Sequence, residues 1–98
     1  MTERNAMLYL VRMDVNLPHD MPAAQADDIK AREKAYAQQL QHEGKWQQLY
    51  RVVGEYANYS IFDVASHDEL HTLLSGLPLF PYMKIHVTPL ARHPSSVR

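Results

Sequence analysis

The sequence contains no cysteine, which excludes disulfides, thiolate metal sites and cysteine nucleophiles. Its three glycines are too few for a glycine-rich loop that cradles phosphate. No charge of one sign dominates. Ten Lys plus Arg stand against eleven Asp plus Glu, a formal net charge of -1, and an electrostatic nucleic-acid binder carries a clear basic excess instead. Long hydrophobic runs are missing too: the apolar stretches last a few residues, against the roughly 20 that span a bilayer. Met1 to Ala6 is polar and lacks the apolar stretch of a signal peptide. What remains is the balance of an ordinary folded domain, 46% hydrophobic and 21% charged, read here as cytoplasmic. A chain of this size buries only about two thirds of its unfolded surface, which gives it reason to oligomerise.

Residues 1–6 read as an amino-terminal extension ahead of a second methionine, Met7, and residues 7–98 as a single domain. From Met7 to Val15 every second residue (Met7, Tyr9, Val11, Met13, Val15) is apolar, with Leu8, Leu10, Arg12 and Asp14 between them, which is strand periodicity. A loop over 17–22 ends at Pro22, which suits the first turn of a helix with Asp20 or a neighbour as its cap. The helix runs to about His42, rich in Ala, Gln, Lys and Glu, and Gly44 stops it. Residues 46–53 and 56–64 are rich in aromatic and β-branched side chains and form a hairpin through Gly54-Glu55. Ser66-His67-Asp68-Glu69 has the form of a capping box, and Leu70, Leu73, Leu74 and Leu77 give the second helix one apolar face. A last strand covers 82–88. The order β-α-β-β-α-β predicts an α+β, ferredoxin-like fold: an antiparallel four-stranded sheet with two helices on one face. The second face, carrying Leu8 and Leu10, is costly to leave in water, and pairing of sheets between subunits would cover it.

Three groups of residues could carry chemistry. The apolar stripe of the first helix runs Ala26, Ile29, Tyr36, Leu40, and the position that completes it is Glu33. A carboxylate there is either an edge residue paired with Lys30, Lys34 or an arginine, or a desolvated group able to act as a general base near neutral pH. His67 and His71 share a helix face, but the metalloprotease pattern puts Glu directly after the first His. Here Asp68 stands in that place, and no third ligand is evident, so no metal site is expected. On the third strand Tyr56, Asn58, Ser60 and Phe62 alternate with Ala57, Tyr59 and Ile61, so a hydrogen-bonding site for a small ligand would use one set or the other. Arg51, or Arg92 and His93 if the tail folds back, could hold a carboxylate.

Specific runs then point to a family. They are Met7-Leu8 through Arg12-Met13, Leu17-Pro18 with Asp20-Met21, Ala31-Arg32-Glu33-Lys34 and Gly44-Lys45-Trp46. Tyr56-Ala57-Asn58-Tyr59-Ser60, Phe62-Asp63-Val64, Leu77-Pro78-Leu79-Phe80-Pro81-Tyr82-Met83 and Arg92-His93-Pro94-Ser95-Ser96 follow. Through them the chain resembles the muconolactone Δ-isomerase family from Met7 to about Val97. The resemblance implies a ferredoxin-like fold, decamers built from dimers with sites that use residues of two subunits, and no cofactor or metal. It implies conversion of muconolactone to 3-oxoadipate enol-lactone in the catechol branch of the 3-oxoadipate pathway, with the Glu of the Ala-x-Glu-Lys segment, Glu33, as general base. Asn58, Tyr59 and Ser60 are then the candidate donors to the substrate oxygen, and Arg51, Arg92 and His93 the candidate partners of its carboxylate. Ala91 replaces a frequent Cys, Tyr50 a common Trp, and Lys84 and His86 acidic residues. The competing readings are a chloromuconolactone dehalogenase on the same scaffold, a non-catalytic ligand-binding oligomer, and a cofactor-independent oxygenase.

Overall fold

Alternating apolar residues build the central strand, and everything else is arranged around it. The computed structural model describes residues 7–97; the expected extension over 1–6 lies outside the described residues. The elements are β1 (Met7–Val15), α1 (Ala23–His42), β2 (Trp46–Arg51), β3 (Ala57–Val64), α2 (His67–Ser75), a short 3-10 turn (Phe80–Tyr82) and β4 (Met83–Leu90). They form one four-stranded sheet in the order β2-β3-β1-β4, with β1 antiparallel to both β3 and β4 and β2 antiparallel to β3. This is the ferredoxin-like arrangement.

Register assigns each side chain to a face. Tyr9 lies opposite Phe62, Val11 opposite Ser60 and Met13 opposite Asn58, and these share the face covered by the helices. Tyr9, Val11, Met13, Phe62 and Val64 are buried there with Ala37 and Leu40 of α1 and Leu70 and Leu74 of α2. Trp46 stacks on Phe62 with ring centroids 4.8 Å apart. A register irregularity between Trp46 and Gln48 lets Trp46, Leu49 and Arg51 all fall on the helix face. The other face carries Leu8, Leu10, Arg12, Tyr59, Ile61 and Tyr50, with Tyr50 and Tyr59 exposed.

The helix ends follow local chemistry. At the end of α1 Gly44 takes a φ of 80°, and the Lys45 N–H bonds to Leu40 O while the Gly44 N–H bonds to Gln41 O, the two bonds of a Schellman motif. The start of α1 differs from expectation. Pro22 is the cap rather than a residue of the first turn, and among the described residues no side chain, Asp20 included, caps the helix; the Pro22 carbonyl accepts from Ala26 N. At α2 the Ser66 hydroxyl accepts from Glu69 N as expected. The Glu69 carboxylate accepts from Ala65 N, and it also pairs with Lys45 at 2.8 Å. β4 runs two residues past the expected end, through Pro89, which an edge strand tolerates.

Candidate active site

Glu33 completes the buried stripe of α1 between Ile29 and Ala37, so the helix periodicity alone turns its side chain toward the sheet. It is half-buried against a cavity of about 350 Å³ walled by Val15, Ala37, Trp46, Leu49, Tyr56, Leu79 and Met83, with Lys30, Lys34 and Asn58 at its polar positions. Among the described residues no lysine or arginine pairs with the Glu33 carboxylate. Its partner is the backbone N–H of Leu79, 3.0 Å from Oε1. That N–H is available because Leu79 is the residue that caps the 3-10 turn, where the backbone donor has no partner in the turn itself. Burial pushes the Glu33 carboxyl above the usual glutamate range, and the Leu79 hydrogen bond only partly offsets this. The same burial and the nearby Glu33 charge raise the Tyr36 hydroxyl, which donates to Leu73 O at 2.9 Å.

The cavity opens into a second space of about 850 Å³ lined by Arg51, Gly54, Glu55 and Ala57, and the two share Val15, Lys30, Leu49, Tyr56 and Asn58. Asn58 therefore stands at the junction. Ser60 is fully buried behind it and donates to Asn58 Oδ1 at 2.8 Å. With its oxygen taken, Asn58 keeps its amide N–H groups as donors, and no described residue accepts them.

The candidate residues thus divide. Glu33 and Asn58 line one cavity, Ser60 orients Asn58 from behind, and Arg51 lies at the outer space. Tyr59 lies on the far face, where its hydroxyl accepts from Arg12 at 3.2 Å and its ring lies 5.2 Å from the Arg12 guanidinium carbon. Arg92 borders a separate depression on that far face with Leu8, Ile61 and Leu90, and His93 is exposed, with Nδ1 accepting from Ser95 N. Neither reaches Glu33 within this chain. His67 does not face His71 across a ligand; its Nδ1 is hydrogen-bonded to the Tyr9 hydroxyl. Leu79 and Lys30 were missed by sequence reasoning as parts of the site. Lys30 was within reach of it, lying one helical turn before Glu33. The Leu79 N–H was not, since it comes from a loop 46 residues away.

Known proteins resemble the chain over nearly all of its described residues. The muconolactone delta-isomerase family pattern matches residues 7–96. The chain is 97% identical over 92 residues to the muconolactone Δ-isomerase of Cupriavidus pinatubonensis, covering 94% of this chain and 100% of that one. It is 71% identical to muconolactone Δ-isomerase 1 of Acinetobacter lwoffii, covering 94% of this chain and 96% of that one. A crystal structure of muconolactone isomerase superposes with a TM-score of 0.90 at 56% identity, covering 94% of this chain and 96% of that one. A feast or famine regulatory protein of M. tuberculosis, at 23% identity and a TM-score of 0.58, shares the fold alone. Tyr50, Lys84, His86 and Ala91, where the resemblance leads one to expect other residues, all lie outside the cavity that holds Glu33. With the family pattern matched over residues 7–96 and 97% identity over 92 residues to a muconolactone Δ-isomerase, the chain belongs to the muconolactone Δ-isomerase family.

Proposed function

We propose that Glu33 is the single base with which this chain moves the proton in the reaction of its family. The activity is muconolactone Δ-isomerisation, in catechol degradation through the 3-oxoadipate pathway. The substrate is an α,β-unsaturated lactone whose ring C4 proton is vinylogous to the carbonyl. The Glu33 carboxylate takes that proton, the electron pair shifts through the ring double bond, and a dienolate forms with its charge on the carbonyl oxygen. The same carboxyl returns the proton at C2 and gives the enol-lactone. The observation that carries this reading is a carboxylate set in an apolar cavity with one backbone donor on Oε1 and no cationic partner among the described residues. Oε2 is left to accept and return the proton. Raised basicity brings the carboxyl nearer to a carbon acid of this kind.

Asn58 supplies donors for the dienolate oxygen, and Ser60 fixes which end of the amide faces the cavity. Arg51, at the outer space, draws an anionic substrate inward. The assembly is part of the proposal. The far face, with Leu8, Leu10, Ile61, Tyr50 and Leu90, supports a homo-oligomer, a decamer by the family resemblance, in which Arg92 and His93 would serve only a neighbour's site. Residues 7–98 form its one domain and the cytoplasm is its compartment. No described helix is long and apolar enough to cross a membrane.

The test is a proton NMR time course with muconolactone in D2O. Conversion with little deuterium at C2 supports one shielded base. Full deuteration at C2 means that the proton exchanges with solvent on the carboxyl or that a second acid returns it, and the shielded transfer then fails; turnover retained by Glu33→Gln removes Glu33 as the base. Chloride release from the chlorinated lactone distinguishes a dehalogenase.

A further inference from the structure

Muconolactone carries its carboxymethyl arm on the same carbon that loses the proton. When Glu33 approaches C4, the substrate carboxylate is therefore only a few ångströms from the Glu33 carboxylate. Two anions brought this close in an apolar cavity repel strongly. A cation is needed within one side-chain length of Glu33. Residues three apart on a helix have Cβ atoms about 5–6 Å apart, which matches this requirement.

Lys30 meets it. It precedes Glu33 by one turn of α1 and lines both the inner cavity and the outer space. Its Nζ lies 5.9 Å from the centroid of the Tyr56 ring, which lines the same two spaces. Among the described residues no carboxylate pairs with the Lys30 ammonium, so its charge is available to a ligand. Lys34 borders the inner cavity only and Arg51 the outer space only. We infer that Lys30, steadied over the Tyr56 ring, is the residue that binds the carboxylate arm of the substrate and sets the preference for an anionic lactone. The inference rests on the reading of Glu33 as the base, since the spacing between the two is what selects Lys30.

The test compares muconolactone with its neutral methyl ester. Both present the same vinylogous proton, so their ratio of kcat/KM isolates recognition of the arm. Lys30→Gln is expected to lower that ratio about tenfold or more, mainly through KM of the acid, while Lys30→Arg keeps most of it. Gln has a helix propensity close to that of Lys and position 30 is exposed, so the variant is expected to fold. An unchanged ratio in Lys30→Gln overturns the inference, as does a larger fall in Lys34→Gln or Arg51→Gln. Failure of the base reading is separable: turnover of both substrates by Glu33→Gln would remove Glu33 as base without touching the acid-to-ester ratio.

Discussion

The two faces of the sheet are built from the same strands and carry opposite kinds of polar group. On the far face Arg12 bonds Asp14 at 3.0 Å, Glu55 at 2.8 Å and the Tyr59 hydroxyl, so the charges of this cluster are paired. The Arg12 guanidinium holds the Asp14 carboxyl below the usual range. Under the helices the reverse holds. Among the described residues Glu33 has one backbone donor, Asn58 keeps free amide N–H groups, and the buried Trp46 indole N–H has no acceptor. Satisfied charges hold structure, while unsatisfied polar groups facing a cavity are available to a ligand. The site is where the fold leaves its polar groups incomplete.

The sharpest way to break this contrast is Glu33→Gln. It is expected to lower kcat by about 10²–10⁴, measured by loss of muconolactone absorbance or by NMR. Stability should move the other way. A carboxyl whose folded pKa lies above its unfolded value favours the fold below the unfolded pKa and loses that contribution as pH rises through the folded pKa. At neutral pH the ionised Glu33 therefore costs stability, and Glu33→Gln should melt no lower than the parent in a thermal scan. Parent kcat/KM should rise with pH through the raised Glu33 pKa, since only the carboxylate accepts the proton. A profile flat across that range would remove Glu33 as the titrating base.

Next in size is Asn58→Ala, with a loss of about 10²-fold in kcat if its amide faces the dienolate oxygen. Ser60→Ala is expected to cost about tenfold, because Asn58 then loses the bond that orients it. Tyr59 lies between them in sequence and on the other face. Tyr59→Phe should leave steady-state kinetics within about twofold, as expected for the loss of a single exposed hydrogen bond. A loss comparable to that of Asn58→Ala would bring the far face into a neighbour's site. The smallest effect concerns packing alone. A Cβ at Gly76 would stand 2.8 Å from the Tyr36 hydroxyl, so Gly76→Ala should displace it from Leu73 O and cost about 1 kcal/mol in chemical denaturation.

Local periodicity made much of this legible. The alternation along β1 fixed its buried face, the stripe of α1 placed Glu33 on the wall of the core, and Gly44 and Ser66 marked helix ends. In each case the signal and the structure span the same few residues. Strand ends were less clear: β2 stops at Arg51, before Val52 and Val53, because Val52 N–H turns to Ala57 O to close the hairpin.

The sequence by itself determined the element order, the family and the identity of the carboxylate that sits where an apolar residue belongs. Alternation on β3 separated Asn58 and Ser60 from Tyr59 but carried no sign saying which set faced the helices. Tertiary structure decided that through pairing: Ser60 lies opposite Val11 and Tyr59 opposite Arg12, so the buried face of β1 imposed its side on β3. It also decided that Leu79 would give its N–H to Glu33 and that Arg92 and His93 would stand away from it within the chain. The physical reason is that periodicity within one element fixes directions relative to that element, whereas a site is made by groups brought together from separate elements, and only packing sets their distances.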